Sequence, residues 1–178
     1  MRLGLVYLPP KDVSERLVEI AQEIARGKST RVVLGPEKLA HLSLVHVETE
    51  EDPALLWGEA KESAPKTCPI NVLGLGLLRY DTPYNAPAAD PATMAWLVVP
   101  CSRPLRAAEE SALALPFVRR SRVTTHNGES FQPHFTIAIW DGAQTDVTLP
   151  RDSLSFEGHL ALGVIGANGV FERTLFET

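Results

Sequence analysis

Cysteine is nearly absent from this chain: Cys68 and Cys101 are the two in 178 residues, with no CxxC spacing between them. That excludes a disulfide framework and a zinc knuckle, and both thiols read as small buried hydrophobes. An excess of positive charge is lacking too. Seventeen Lys and Arg stand against 22 Asp and Glu, a net charge of −5, which excludes a general electrostatic grip on long duplex nucleic acid. No apolar run approaches the roughly 20 residues that span a bilayer. The run Leu3 to Leu8 is stopped by Pro9-Pro10 before it reaches the length of a signal-peptide core. Low-complexity and linker-like segments are missing as well. These absences predict a cytoplasmic protein without membrane association, a monomer built as one domain over residues 1–178.

What is present is a 44% apolar chain, enough for a well-buried core, whose order of elements repeats. Arg2 to Leu8 reads as a strand. A helix follows, with Asp12 and Glu15 in a capping-box pattern and Val13, Leu17, Ile20 and Ile24 on one face, stopped at Gly27. After a loop comes an apolar run from His41 to Val47. In the second half Ala95 to Val99 reads as a strand. Ser102 and Pro104 open a helix with Leu105, Ala108, Ala112 and Leu115 on one face, and a second apolar run spans His134 to Trp140. The separation from Leu5 to Leu97 matches that from His41 to His134 within one residue. The expected arrangement is two lobes, approximately 1–92 and 93–178, related by a pseudo-two-fold. Asp52-Pro53 opens a further helix, Pro69 to Tyr80 reads as a strand, and Asn168-Gly169 between two apolar runs signals a hairpin. The class is α+β, with two antiparallel sheets, helices outside and a central cleft.

The two matching runs each begin with a short motif: His41-Leu-Ser43 and His134-Phe-Thr136. Side chains at i and i+2 of a strand share a face, so each imidazole lies beside a hydroxyl. One neutral imidazole can take a proton from water, and one protonated imidazole can give a proton to a leaving oxygen. The hydroxyls of Ser43 and Thr136 can donate to non-bridging phosphate oxygens as charge accumulates. Histidine's ordinary pKa of about 6.5 lets both protonation states coexist near neutrality. Two histidines alone make a poor zinc site, because no third ligand shares either motif; no metal and no cofactor are expected.

On these motifs, with Pro133 before the second and the opening Arg-Leu-Gly-Leu-Val-Tyr-Leu-Pro, the chain resembles the 2H phosphoesterase superfamily. That superfamily holds the bacterial 2′-5′ RNA ligases and the 2′,3′-cyclic nucleotide phosphodiesterases. The resemblance implies a metal-independent phosphoesterase acting on a 2′,3′-cyclic phosphate or 2′-5′ phosphodiester of a nucleotide or short RNA end. It implies His134 as base and His41 as acid, an order the sequence itself leaves open. Two alternatives share the site: a 2′-5′ RNA ligase running the chemistry in reverse, and a nucleotide- or RNA-binding module without turnover.

Other residues have secondary readings. His46 stands an odd number of positions from His41, which predicts the opposite strand face and a structural, hydrogen-bonded role. Tyr7, His126, Arg122 and Trp140 are candidate substrate contacts, the arginine as one of a cluster with Arg119 and Arg120 and the two aromatics as stacking surfaces. His159, without a companion, reads as structural.

Overall fold

Pro9-Pro10 ends the first strand, β1 (Arg2–Leu8), because neither proline has an N–H to continue a ladder. Helix α1 (Lys11–Ala25) starts at once, with Pro10 at the capping position and no side-chain cap. The expected capping box is therefore not formed. Asp12 falls inside the first turn, where its charge complements the helix dipole instead. The predicted face of α1 is buried at Leu17, Ile20 and Ile24. Helix α2 (Pro53–Ser63) is capped by Asp52, whose side chain accepts from the Ala54 amide at 2.9 Å. Helix α3 (Arg103–Ala114) is capped by Ser102, and a short α4 (Pro116–Arg120) follows it.

The structure, a computed structural model, describes residues 1–80, 92–125, 127–142, 154–166 and 169–178. Nine further strands and a 3₁₀ turn (Gly128–Ser130) complete the described elements, the strands being β2 (Thr30–Val33), β3 (Leu42–Glu48), β4 (Thr67–Asn71), β5 (Gly74–Tyr80), β6 (Ala92–Val98), β7 (Arg122–Val123), β8 (His134–Asp141), β9 (Ser155–Ile165) and β10 (Phe171–Glu177). The single strand expected from Pro69 to Tyr80 is two. The chain leaves β4, which pairs with β9, and crosses through Val72 and Leu73 to β5, which pairs with β6. The hairpin of β9 and β10 is present, with Gly169 at φ +72° beside its turn; Asn168 lies outside the described residues.

Every pairing among the described strands is antiparallel, and the class is α+β as expected. The hydrogen-bonded order is β10-β9-β1-β3-β8-β6-β5, with β4 on β9, β7 on β3 and β2 on β8. Where two sheets were expected, the described strands form one ten-stranded network, which narrows at its middle, where β3 meets β8 through the pair Leu42 and Phe135. The halves on either side exchange elements. Strand β2, which follows α1, joins β8, while β7, which follows α3 and α4, joins β3. Helix α1 packs on β8 and α3 on β3. Ser29 and Arg31 fasten the β2 crossing by donating to the Asp141 carboxylate at 2.9 and 2.6 Å. One main hydrophobic core runs through both halves, from Leu3 and Leu5 to Phe117, Phe135 and Trp140. Cys68 lies buried in it as expected. Cys101 does not; it stands exposed just before α3.

Both central strands carry a bulge at the same place. Val45 pairs with Leu5 and Ser43 with Val6, so Leu44 is the extra residue in β3. Ala138 pairs with Ala95 and Thr136 with Trp96, so Ile137 is the extra residue in β8. A bulge reverses which residues face the core from that point on. Leu42 and Leu44 are buried before the shift, Val45 and Val47 after it.

Candidate active site

The pair Leu42 and Phe135 fixes the site. Both side chains are fully buried on the core side, so their neighbours in sequence point the other way. Antiparallel register around that pair sets His41 towards Thr136 and Ser43 towards His134. All four line one cleft of about 410 Å³, together with His46, Thr124, Thr125, Gln132 and an apolar wall that includes Leu78, Met94, Trp96 and Phe131.

The two motif histidines are held alike. The Nδ1 of His41 meets the Leu39 carbonyl at 3.0 Å, and the Nδ1 of His134 meets the Gln132 carbonyl at 2.7 Å. A carbonyl only accepts, so Nδ1 carries the hydrogen in both rings, and Nε2 is the lone-pair nitrogen when the ring is neutral. His41 is the deeper of the two. It is 9% exposed, packs against Phe171 with ring centres 5.4 Å apart, and stands 6.3 Å from the His46 ring. Burial pushes its pKa down to about 4, against the backbone hydrogen bonds of Leu39 and Gly169, and the charge of His134 adds to the lowering. His134 is half-buried, with Trp96 edge-on at 4.9 Å. Trp96 can lie there because its partner across the ladder is Gly76, where a Cβ would overlap the indole nitrogen.

The hydroxyls differ in their surroundings. Ser43 Oγ is 2.8 Å from His46 Nε2. Thr136 Oγ1 donates to the Met94 sulfur at 3.8 Å, a weak acceptor. The wall ahead of His134 is anchored from behind by Glu109, a fully buried carboxylate on α3. It accepts from the Gly128 amide at 2.6 Å and pairs with Arg106, which also donates to the Gly128 carbonyl.

His46 corrects the sequence reading. Simple alternation places it opposite His41, but the bulge at Leu44 returns it to the cleft face. The signal was present: the apolar positions of this run change parity, from Leu42 and Leu44 to Val45 and Val47, which uninterrupted alternation does not permit. Burial pushes the His46 pKa down to about 3, with His41, Arg2 and His134 adding to the effect.

Three of the candidate substrate contacts lie elsewhere. Tyr7 is fully buried in the core, donates to the Pro65 carbonyl at 2.9 Å, and has its phenol pKa raised by burial. Trp140, past the bulge of β8, is also fully buried, with the Lys28 ammonium 5.3 Å from its ring centre. Arg122 is exposed and pairs with Glu48 at 3.0 Å on a separate surface depression. Its neighbour Arg120 is likewise engaged, by Glu51 and Glu59. His126 lies outside the described residues. His159 is an exposed residue of β9. Trp96, Met94, Phe131 and Gln132 line the cleft without having been singled out; each looks like an ordinary strand or loop residue until β6 is paired with β8.

Among the described residues no cluster of three His, Cys, Asp or Glu side chains is disposed to hold a metal ion, and no helix is long and apolar enough to cross a membrane. No family model matches the chain, and no curated protein matches it in sequence. Solved structures do match its fold. A crystal structure of a phosphoesterase superposes with a TM-score of 0.70 at 15% identity, over 99% of this chain and 96% of that one. That of TT0787 from Thermus thermophilus superposes with a TM-score of 0.61 at 17% identity, again over 99% and 96%. The chain therefore has the fold of a solved phosphoesterase, in agreement with the superfamily resemblance carried by its two histidine motifs.

Proposed function

We propose that the protein is a phosphoesterase of the 2H type that hydrolyses a 2′,3′-cyclic phosphate, or a 2′-5′ phosphodiester, of a nucleotide or short RNA end without a metal. The observation that carries this reading is the convergence of His41, Ser43, His134 and Thr136 on one cleft across the Leu42–Phe135 pair. A cyclic phosphate is a strained diester, so its opening needs proton transfer and charge stabilisation above all, and two imidazoles with two hydroxyls supply both. In the order the superfamily resemblance implies, His134 takes the proton from water and His41 gives one to the departing ribose oxygen. His41 acquires that proton with the substrate, whose negative charge offsets the burial that otherwise keeps this ring neutral.

The described lining residues include no Lys or Arg. A cleft of that character favours a small substrate with a single phosphate over a long polyanion. This favours hydrolysis of a nucleotide or short end over ligation of long RNA strands. The repeated order of strand, helix and motif, the matching bulges at Leu44 and Ile137, and the reciprocal exchange of β2 and β7 all support an internal duplication within one two-lobed domain.

Turnover of a nucleoside 2′,3′-cyclic phosphate by the purified chain tests the reading directly. Hydrolysis lost in both His41→Ala and His134→Ala is the expected result. Tight binding without hydrolysis would favour the binding module instead, and joined 2′-5′ products the ligase.

A further inference from the structure

Among the described residues, His46 is the imidazole of the cleft that the two-motif chemistry does not use. Its counterpart in β8, as far beyond His134 as His46 is beyond His41, is Ile139, a buried residue packed with Val32, Ala92 and Met94. The two halves of the site thus differ at this position. One hydroxyl, Ser43, is backed by a ring nitrogen at 2.8 Å; the other, Thr136, is backed by a thioether.

The surroundings of His46 hold the ring in place. Its amide donates to Thr125 Oγ1 at 3.1 Å and its carbonyl accepts from the Thr124 amide at 2.9 Å, both on the loop that follows β7. Across the β1 ladder its partner is Gly4, where a Cβ would come within 3.1 Å of the imidazole Cδ2. A side chain at that position would overlap Ile165 and press on the ring. Among the described residues, Ser43 Oγ is the hydrogen-bond partner of the His46 ring. Burial keeps the ring neutral, so it has one N–H to place. A buried N–H left without an acceptor is rarer and costlier than a lone pair left without a donor. The proton therefore belongs on Nε2, facing Ser43.

We propose that His46 is a positioning residue: its Nε2–H donates to Ser43 Oγ and so turns the Ser43 hydroxyl proton into the cleft, towards a phosphate oxygen. This rests on the phosphoesterase reading above. The chain from Nε2–H to Oγ–H to the anionic oxygen is polarised along its length, which strengthens its last link. His46 itself touches no reacting atom. Its effect passes through Ser43, which makes the β3 half of the site the stronger donor and orients an asymmetric diester.

The test uses the full chain and four variants, His46→Phe, His46→Gln, Ser43→Ala and the double variant His46→Phe with Ser43→Ala, with a nucleoside 2′,3′-cyclic phosphate as probe. Ser43→Ala loses on the order of 10²-fold in kcat, as for one oxyanion donor. His46→Phe loses on the order of 10-fold alone and about twofold or less on top of Ser43→Ala, because the two act through one bond. His46→Gln, which keeps an N–H donor, recovers most of the loss. Losses that multiply in the double variant, or a His46→Phe enzyme at full rate, overturn the proposal. A readout independent of turnover separates its failure from that of the phosphoesterase reading. Imidazole ¹⁵N spectra of the unliganded protein near neutral pH should show His46 with a protonated Nε2 that shifts in Ser43→Ala. A protonated Nδ1 with a bare Nε2 overturns the proposal whether or not the protein turns over the probe.

Discussion

Leu42 and Phe135 are, among the described residues, the pair through which β3 and β8 join, and each directly follows a motif histidine. Core packing and site geometry are thus set by the same two side chains. Because both are fully buried, truncation removes contacts that nothing nearby can replace. Leu42→Ala is expected to cost about 2–5 kcal/mol and Phe135→Ala about 3–5 kcal/mol of stability. Urea denaturation measures both, and a loss well under 1 kcal/mol for either would show that the seam is not a packing centre.

The catalytic assignment predicts a loss of roughly 10²–10⁴-fold in turnover for His41→Ala or His134→Ala. Thr136→Ala should lose on the order of 10²-fold. These variants must fold, which their melting curves will show. A folded His134→Ala protein that hydrolyses cyclic phosphate at the wild-type rate would sink the assignment.

Protonation of the buried rings has a predictable sign. His41 at about 4 and His46 at about 3 lie below the ordinary value of 6.5. Between those values and 6.5 the unfolded chain binds more protons than the folded one. Stability is therefore full above about pH 6.5 and falls as the pH drops towards 4. His46→Phe should flatten part of that fall. Binding of a nucleoside 2′-monophosphate should in turn draw a proton onto the site, seen calorimetrically as uptake that changes with buffer ionisation heat. A melting temperature that is level from pH 7 to pH 4.5 would contradict the first expectation.

Tyr7 and Arg122 serve as controls that separate scaffold from site. Tyr7→Phe removes the hydrogen bond to the Pro65 carbonyl and should lower stability by about 0.5–1.5 kcal/mol with turnover unchanged. Arg122→Ala, at an exposed pair, should change stability by about 1 kcal/mol or less. A large rise in KM for either would return that residue to the substrate's reach.

Gly76→Ala tests the apolar wall. The new methyl group occupies the space of the Trp96 indole, which must then shift from its present place beside His134. The expected outcome is altered tryptophan fluorescence and a raised KM, while Gly58→Ala, on open space in α2, changes neither.

Most of the fold was legible because it follows local chemistry. Pro9-Pro10 stops β1, Asp52 and Ser102 cap helices, and the apolar spacing of α1 gives its buried face. The pairing of His41 with Ser43 and of His134 with Thr136 was legible for the same reason, since both lie before the bulges. Beyond Leu44 and Ile137 the alternation rule gives the wrong face, which hid His46 and made Trp140 look like a cleft residue. Tyr7 was misplaced for a different reason. A strand covered on both faces shows no alternation, and β1 is buried from Leu3 to Tyr7. The exchange of β2 and β7 between the halves is long-range pairing that no local pattern encodes.

That exchange governs how the protein is made as well as how it is held. Strand β1, made well before β9, needs β9 for one of its edges, and β2 needs β8 in the same way. Neither edge finds its partner until the later strand has been synthesised. Long-range pairing of this kind slows folding towards milliseconds to seconds, because loop closure must precede the contacts that reward it. During that wait the apolar Leu3-Gly-Leu-Val-Tyr-Leu8 segment is an unpaired edge open to other chains. Exposure to aggregation during synthesis is thus concentrated in β1 and ends only when β9 pairs along it.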